Sequence, residues 1–217
     1  MTSRQPVLIV RTGTANIASV HAALRRLNVD ARCAESPDEL DRAQAVVLPG
    51  VGTLAAAMNE IGRQNLIEPL QTRLRDGRPT LAICLGFQML FEGSDESPDV
   101  AGLGVIEGRI TPLPPGVRSP HIGWNDVTFD DGWPEATPGK AYFAHSYRAE
   151  RVPPEWQVAH TEHGGRFISA VRRSAVTGFQ FHPELSGSWG RAMIARWLAK
   201  AGVIERDDTR STEKHAC

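Results

Sequence analysis

Cysteine, long apolar runs and excess charge of one sign are all scarce in this chain, and each scarcity excludes something. Its 217 residues include three cysteines, Cys33, Cys84 and Cys217. That is no paired disulfide framework, and it suits a reducing compartment, so cytoplasmic localisation is expected. No apolar run approaches the roughly 20 residues needed to span a bilayer. Met1 to Pro6 lacks the charged start, apolar stretch and cleavage site of a secretory leader, so no membrane association is expected. The 24 Lys and Arg nearly balance 25 Asp and Glu, for a net charge of −1. No basic stripe results, and nucleic acid is not an expected partner. No Pro/Gly-rich linker splits the chain into two self-sufficient cores, so residues 1–204 read as one domain. Residues 205–217 are polar and aperiodic, as in a disordered tail.

What is present is a β-α alternation. Val7-Leu8-Ile9-Val10 is a continuous apolar run of the kind buried on both faces of a parallel sheet. Ile17, Val20, Leu24 and Leu27 then follow at helical spacing. A short strand near Ala31 to Ala34 precedes Ser36-Pro37, a helix start with a capping side chain and proline at the first helical position. Ala45 to Leu48 and Pro79 to Ile83 are further strands, separated by helices from Leu54 to Ile61 and from Leu66 to Leu74. This predicts an α/β fold with a doubly wound, mostly parallel central sheet flanked by helices, whose ligands bind at strand C-termini. After Gly93 the chain becomes strand-rich. Strand candidates run over Gly104 to Ile110, Trp124 to Phe129, Ala141 to Tyr147, Gln157 to Thr161, Phe167 to Val171 and Val176 to Phe181. A closing helix covers Ser188 to Lys200.

Chemistry concentrates at strand ends. In Leu81-Ala82-Ile83-Cys84-Leu85-Gly86-Phe87-Gln88, small residues flank a cysteine on a strand-to-helix turn, the pattern of a nucleophile elbow. Such a turn exposes the thiol, and a helix N-terminus favours its thiolate. Alone, Cys84 reads equally well as a buried structural cysteine. Gln180-Phe181-His182-Pro183-Glu184 supplies an imidazole and a carboxylate that strand alternation puts on one side, and a carboxylate fixes the imidazole tautomer. Alone, that segment is an ordinary loop. Pro49-Gly50-Val51-Gly52 is either a plain turn or a source of backbone N–H groups for an oxyanion, together with the N–H of Leu85. Taken together, nucleophile, base and orienting acid point to acyl transfer through a thioester.

These motifs resemble the class I (triad) glutamine amidotransferases, over about Val7 to Leu198. Pro49-Gly50-Val51-Gly52, Pro120-His121-Ile122-Gly123-Trp124-Asn125, Tyr142-Phe143-Ala144-His145-Ser146-Tyr147 and Gln180 to Ser186 resemble, in that order, the glutaminase subunits of imidazole glycerol phosphate synthases. The resemblance implies that Cys84 is the nucleophile, His182 the general base and acid, and Glu184 the group orienting His182. It implies oxyanion donors at Val51 and Leu85 and a glutamine pocket formed by Gly50, Gly52, Gln88, Ser146 and Tyr147. Trp124, Asn125 and Tyr142 would face a (β/α)₈-barrel cyclase subunit that takes up the ammonia in histidine biosynthesis. For Trp124 and Tyr142, aromatic core packing is the competing reading. No cofactor and no metal is implied.

Three positions depart from the family pattern. Ala82 stands for a glycine in the elbow, Arg11 for an acid in the first βα loop, and His163 for a tyrosine. Ala82 is small enough to keep the turn. The remaining histidines, His21, His121, His145, His160 and His215, lack metal-ligand spacing and read as surface, packing or polar-network residues. Other readings in the same chemistry are the glutaminase subunit of an anthranilate or aminodeoxychorismate synthase and a stand-alone γ-glutamyl cysteine hydrolase. A non-catalytic binding subunit follows only if Cys84 is unreactive.

Overall fold

Apolar residues alternate between two cores along the central strands. In the computed structural model, which describes residues 5–13, 16–131, 133 and 137–205, β1 (Val7–Ile9) sends Val7 and Ile9 into one core and Leu8 into the other. β3 (Val46–Gly50) and β4 (Thr80–Cys84) divide the same way. Val47, Leu81 and Ile83 enter the first core, and Val46, Leu48 and Ala82 the second. Burying strands on both faces demands helices on both sides. The first core is covered by α1 (Ile17–Arg25) through Val20 and Leu24, and by α6 (Gly187–Lys200) through Met193, Trp197 and Leu198. The second is covered by α2 (Pro37–Arg42), α3 (Leu54–Arg63), α4 (Ile67–Arg75) and the single turn α5 (Leu85–Gln88). The cap expected before α2 is present: Glu39 N–H donates to Ser36 Oγ at 3.3 Å, with Pro37 at the first helical position.

The remaining strands are β2 (Ala31–Cys33), β5 (Phe91–Ser94), β6 (Ser97–Ala101), β7 (Ile106–Pro112), β8 (His121–Phe129), β9 (Gly139–His145), β10 (Tyr147–Arg148), β11 (Gln157–Glu162), β12 (Arg166–Arg173) and β13 (Val176–Phe179). Among the described residues one nine-stranded sheet runs β2-β1-β3-β4-β13-β12-β11-β8-β9. The β2 to β13 half is parallel, and the strand-rich second half of the chain extends it with four antiparallel strands. A small second sheet runs β10-β7-β5-β6 and meets the first where Ala149, just after β10, bridges Ile168 on β12. The β5–β6 hairpin has no counterpart in the sequence-based reading, because Glu92, Gly93 and Pro98 break the apolar alternation. Residues 206–217, assigned above to a tail, fall outside the described residues. No described helix is long and apolar enough to cross a membrane.

Arg73 on α4 pins the starts of the central strands. Fully buried, it donates through Nη1 to the carbonyls of Leu40 and Ala43, through Nη2 to those of Gln44 and Pro79, and through Nε to Thr80 Oγ1. Burial, reinforced by the like charge of Arg78 and opposed by Asp41, lowers its pKa to about 10. Its charge is balanced by carbonyl dipoles, and it remains protonated at neutral pH.

Candidate active site

The site forms where β3 and β4 end side by side. Their register pairs Gly50 with Cys84, so the loop after β3 and the turn after β4 leave the sheet as neighbours. Cys84 has φ 54° and ψ −108°, a conformation few side-chain-bearing residues adopt. The turn it makes is the sharp elbow anticipated from the sequence, and Ala82 stays within β4 without preventing it. Gly86 is required there: a Cβ at that position would lie 1.9 Å from the carbonyl oxygen of Leu48. Strain at Cys84 and close approach at Gly86 are two sides of one turn.

Two expectations about Cys84 need correction. Cys84 is 6% exposed, so the turn does not hold it out into bulk solvent; it meets solvent through the cavity it lines. The following helix is four residues long, so polarisation of the sulfur comes from the N–H groups of one turn and not from a full macrodipole.

His182 and Glu184 meet, by a route other than strand alternation. β13 ends at Phe179, and a 3₁₀ turn, Pro183–Leu185, swings the carboxylate back so that His182 Nδ1 donates to Glu184 Oε1 at 2.9 Å. Both side chains are buried. Ser186 anchors the turn by donating from Oγ to the His182 carbonyl at 2.6 Å and accepting from Tyr142 N–H at 2.9 Å. With Nδ1 committed to Glu184, Nε2 is the imidazole nitrogen left for the sulfur. Burial disfavours the imidazolium, yet the interactions with Cys84 and Glu184 outweigh it and raise the His182 pKa from 6.5 to about 10. The resting imidazole is therefore charged at neutral pH, beside the nucleophile.

A cavity of about 250 Å³ opens above Cys84, lined among others by Val51, Gly52, Leu85, Gln88, Ser146 and Tyr147. Six of the assigned residues thus surround the sulfur. Gly50 does not line the cavity. It is buried in β3, where a Cβ would come within 3.0 Å of Leu85 Cβ, so its part is clearance for the elbow and not substrate contact. Glu96 and Ile122 also line the cavity, and sequence reasoning missed both. Glu96 belongs to the hairpin hidden from the periodicity, and its carboxylate accepts from Leu54 N–H at 3.2 Å, which holds it at the rim. A carboxylate beside an apolar wall suits the ammonium group of an amino acid.

Behind the cavity runs a buried hydrogen-bonded chain. Asn125 Nδ2 lies 3.2 Å from His121 Nε2, His121 Nδ1 lies 3.0 Å from His145 Nε2, and His145 Nδ1 lies 2.8 Å from the Tyr147 carbonyl. Since the carbonyl only accepts and the amide nitrogen only donates, both imidazoles are Nδ1–H tautomers and the chain has one direction. Burial above all, with the charge of His163, lowers His121 to about 4. Burial lowers His145 to about 3 despite its bond to Tyr147. His163 stacks on His121 at 3.9 Å and its Nε2 donates to the Arg118 carbonyl at 2.8 Å, so the histidine in the tyrosine position completes the network.

Of the proposed partner-facing residues, Trp124 is 57% exposed, which overturns the core-packing reading for it. Tyr142 is half-buried with its ring 6.2 Å from that of Trp124. Asn125 turns its amide inward, to His121 and to the Glu162 carbonyl at 2.9 Å. No cluster of three or more His, Cys, Asp or Glu suited to a metal occurs among the described residues.

Residues 9–201 match the family described as glutamine amidotransferase class-I. Imidazole glycerol phosphate synthase subunit HisH of Symbiobacterium thermophilum is 40% identical over 197 residues, covering 88% of this chain and 92% of that protein. Subunit HisH of Methanopyrus kandleri is 40% identical over 200 residues, covering 90% and 98%. The chain belongs to the class I glutamine amidotransferases, in their HisH family. A further relative, the chloroplastic imidazole glycerol phosphate synthase hisHF of Arabidopsis thaliana, is 36% identical over 91% of this chain and 34% of its own length. Among solved structures, a glutamine amidotransferase superposes with a TM-score of 0.73 at 20% identity, covering 90% of this chain and 98% of that one. This amidotransferase thus shares its overall fold with that structure.

Proposed function

We propose that this HisH-family amidotransferase hydrolyses glutamine and passes the ammonia to a cyclase subunit of imidazole glycerol phosphate synthase in histidine biosynthesis. Cys84 Sγ attacks the side-chain amide carbon, and the oxyanion rests on the N–H groups of Val51 and Leu85. The C–N bond then breaks, its electron pair leaving with nitrogen, and His182 Nε2–H supplies the proton that releases ammonia. Neutral His182 next takes a proton from water, the hydroxide adds to the thioester, and the C–S bond breaks to release glutamate and the thiolate. Glu184 holds the imidazole in the tautomer both halves require.

The observation that carries this reading is the 2.9 Å contact between His182 and Glu184 beside a strained cysteine that lines a cavity of about 250 Å³. Gly52, Gln88, Ser146 and Tyr147 form the walls for glutamine, and Glu96 faces its ammonium group.

The partner is proposed to be a (β/α)₈ barrel docking on the face that carries Trp124 and Tyr142. Ile122 and Leu185 are, with Trp124, the large apolar side chains this chain exposes among its described residues. Ile122 lines the cavity and Leu185 follows Glu184, so a partner covering them covers the site and can receive ammonia before it protonates.

Glutamate release should be measured with the chain alone, with the cyclase and its substrate, and with Cys84→Ala. Release confined to the assembled complex supports the synthase reading. Equal release by the isolated chain supports a stand-alone γ-glutamyl hydrolase instead, and activation only by a chorismate-utilising partner would reassign the pathway.

A further inference from the structure

Gln180 is buried completely, and its side-chain amide lies between Gln88 and Cys84. Gln88 Nε2 donates to Gln180 Oε1 at 3.0 Å, and Gln180 Nε2 donates to Cys84 Sγ at 3.9 Å. An amide can be turned either way, so its neighbours decide the polarity of this contact. It follows from Tyr147. The Tyr147 carbonyl can only accept, and Gln88 lies 3.3 Å from it through Nε2. Gln88 must therefore present its NH₂ group to that carbonyl, and the second N–H of the same nitrogen goes to Gln180. Gln180 then accepts with Oε1 and is left with Nε2 facing the sulfur. The carbonyl is itself held by His145 Nδ1 at 2.8 Å, at the end of the buried histidine chain.

We propose that Gln180 is a further catalytic residue of this site, donating an N–H to the Cys84 sulfur so as to stabilise the thiolate before attack and again as it leaves in deacylation. The proposal rests on the nucleophilic role of Cys84 argued above. Gln180 forms and breaks no covalent bond. Its donor supports negative charge on sulfur at the two points where the C–S bond is absent, and a thioester sulfur, a poor acceptor, gains little from it. In deacylation the donor strengthens as the thioester sulfur becomes a thiolate, so its effect on that step is differential, as a catalytic contribution requires, while before attack it sets the fraction of Cys84 present as thiolate. The other charged or titratable groups around the sulfur are His182 with Glu184 behind it, His145 and, at the rim, Glu96. None of these is altered by substituting Gln180. Gln88, one helical turn beyond Cys84, thereby links the substrate wall to the nucleophile: displacement of its amide by a ligand also loosens the donor on the sulfur.

The test is the pH dependence of alkylation of Cys84 by iodoacetamide, with the labelled residue identified by peptide mapping, in the wild type, Gln180→Met and Gln180→Glu. Gln180→Met keeps the shape and loses the donor. Gln180→Glu keeps the acceptor for Gln88 and turns a second oxygen toward the sulfur. A hydrogen bond to a charged group predicts that the alkylation midpoint of Gln180→Met moves up by about one pH unit, a roughly tenfold slower reaction below the midpoint, with a larger move in Gln180→Glu. Should Gln180→Glu fail to fold, Gln180→Met decides. Profiles of correctly folded variants that superpose on the wild type would overturn the proposal and leave Gln180 a packing residue. Wild-type labelling at Cys33 with none at Cys84 would instead overturn the nucleophile assignment.

Discussion

Gly50 and Cys84 are register partners at the ends of adjacent parallel strands. The pairing brings the residue after each strand, Val51 and Leu85, into the wall of the same cavity, where the proposed oxyanion donors would stand. The geometry depends on the backbone of the elbow passing against β3, which the missing side chain of Gly86 permits.

Gly86→Ala is expected to break this arrangement. Its new methyl group would overlap a backbone carbonyl that β3 cannot withdraw, costing about 3 kcal/mol or more. Calorimetry should show a lowered melting temperature, and any folded fraction should have lost alkylation of Cys84.

Glu184→Gln tests the orienting role. The amide oxygen can still accept from Nδ1–H, but the charge that favours the imidazolium is gone, so the His182 pKa falls. Glutaminase kcat should drop on the order of 10²-fold or more with KM for glutamine little changed. An unchanged kcat in steady-state assays would contradict the assignment.

Stability should peak near pH 6.5. His182 is raised in the folded protein, so its stabilising contribution is complete below pH 6.5 and is lost as pH rises toward about 10. His121 and His145 are lowered to about 4 and about 3, so unfolding takes up protons below pH 6.5 and stability falls as the solution is acidified. Each histidine contributes a slope of up to about 1.4 kcal/mol per pH unit within its window. Urea titrations across pH 4 to 9 check this. Glu184→Gln should flatten the alkaline limb, and His145→Leu the acid limb.

His145→Leu should do more than remove a titration. It leaves the Tyr147 carbonyl with one donor fewer and the buried His121 Nδ1–H without its acceptor, at a cost of about 2 kcal/mol. The cavity wall at Ser146 and Tyr147 loosens, so KM for glutamine is expected to rise several-fold more than kcat falls, as read from steady-state kinetics of the activated complex.

Arg73→Met removes five donors from buried acceptors far from the chemistry. The loss is expected to be about 3 kcal/mol, or roughly 6–12 °C in melting temperature for a chain of this size, with kcat unchanged for the protein that remains folded.

The parallel half of the fold was legible because its central strands β1 and β3 and most of β4 are continuous apolar runs and its helices carry clear starts, as at Ser36-Pro37. Cys84, His182 and Glu184 were legible as types in context, though strand alternation was the wrong reason for the last pair to meet: Pro183 ends extended backbone and opens a 3₁₀ turn. The β5–β6 hairpin was hidden, and with it Glu96, since its residues are polar and partly exposed. The His121–His145 chain was illegible as a network. Its members lie 24 residues apart and come together only through the antiparallel register of β8 and β9, which pairs His121 with His145.

The most direct test of the central claim is glutamate release from glutamine by the cyclase complex carrying wild-type or Cys84→Ala chain. The account predicts activity at the uncatalysed background for Cys84→Ala, with the fold and the partner affinity retained. Glutamate release by that variant at the wild-type rate would contradict it.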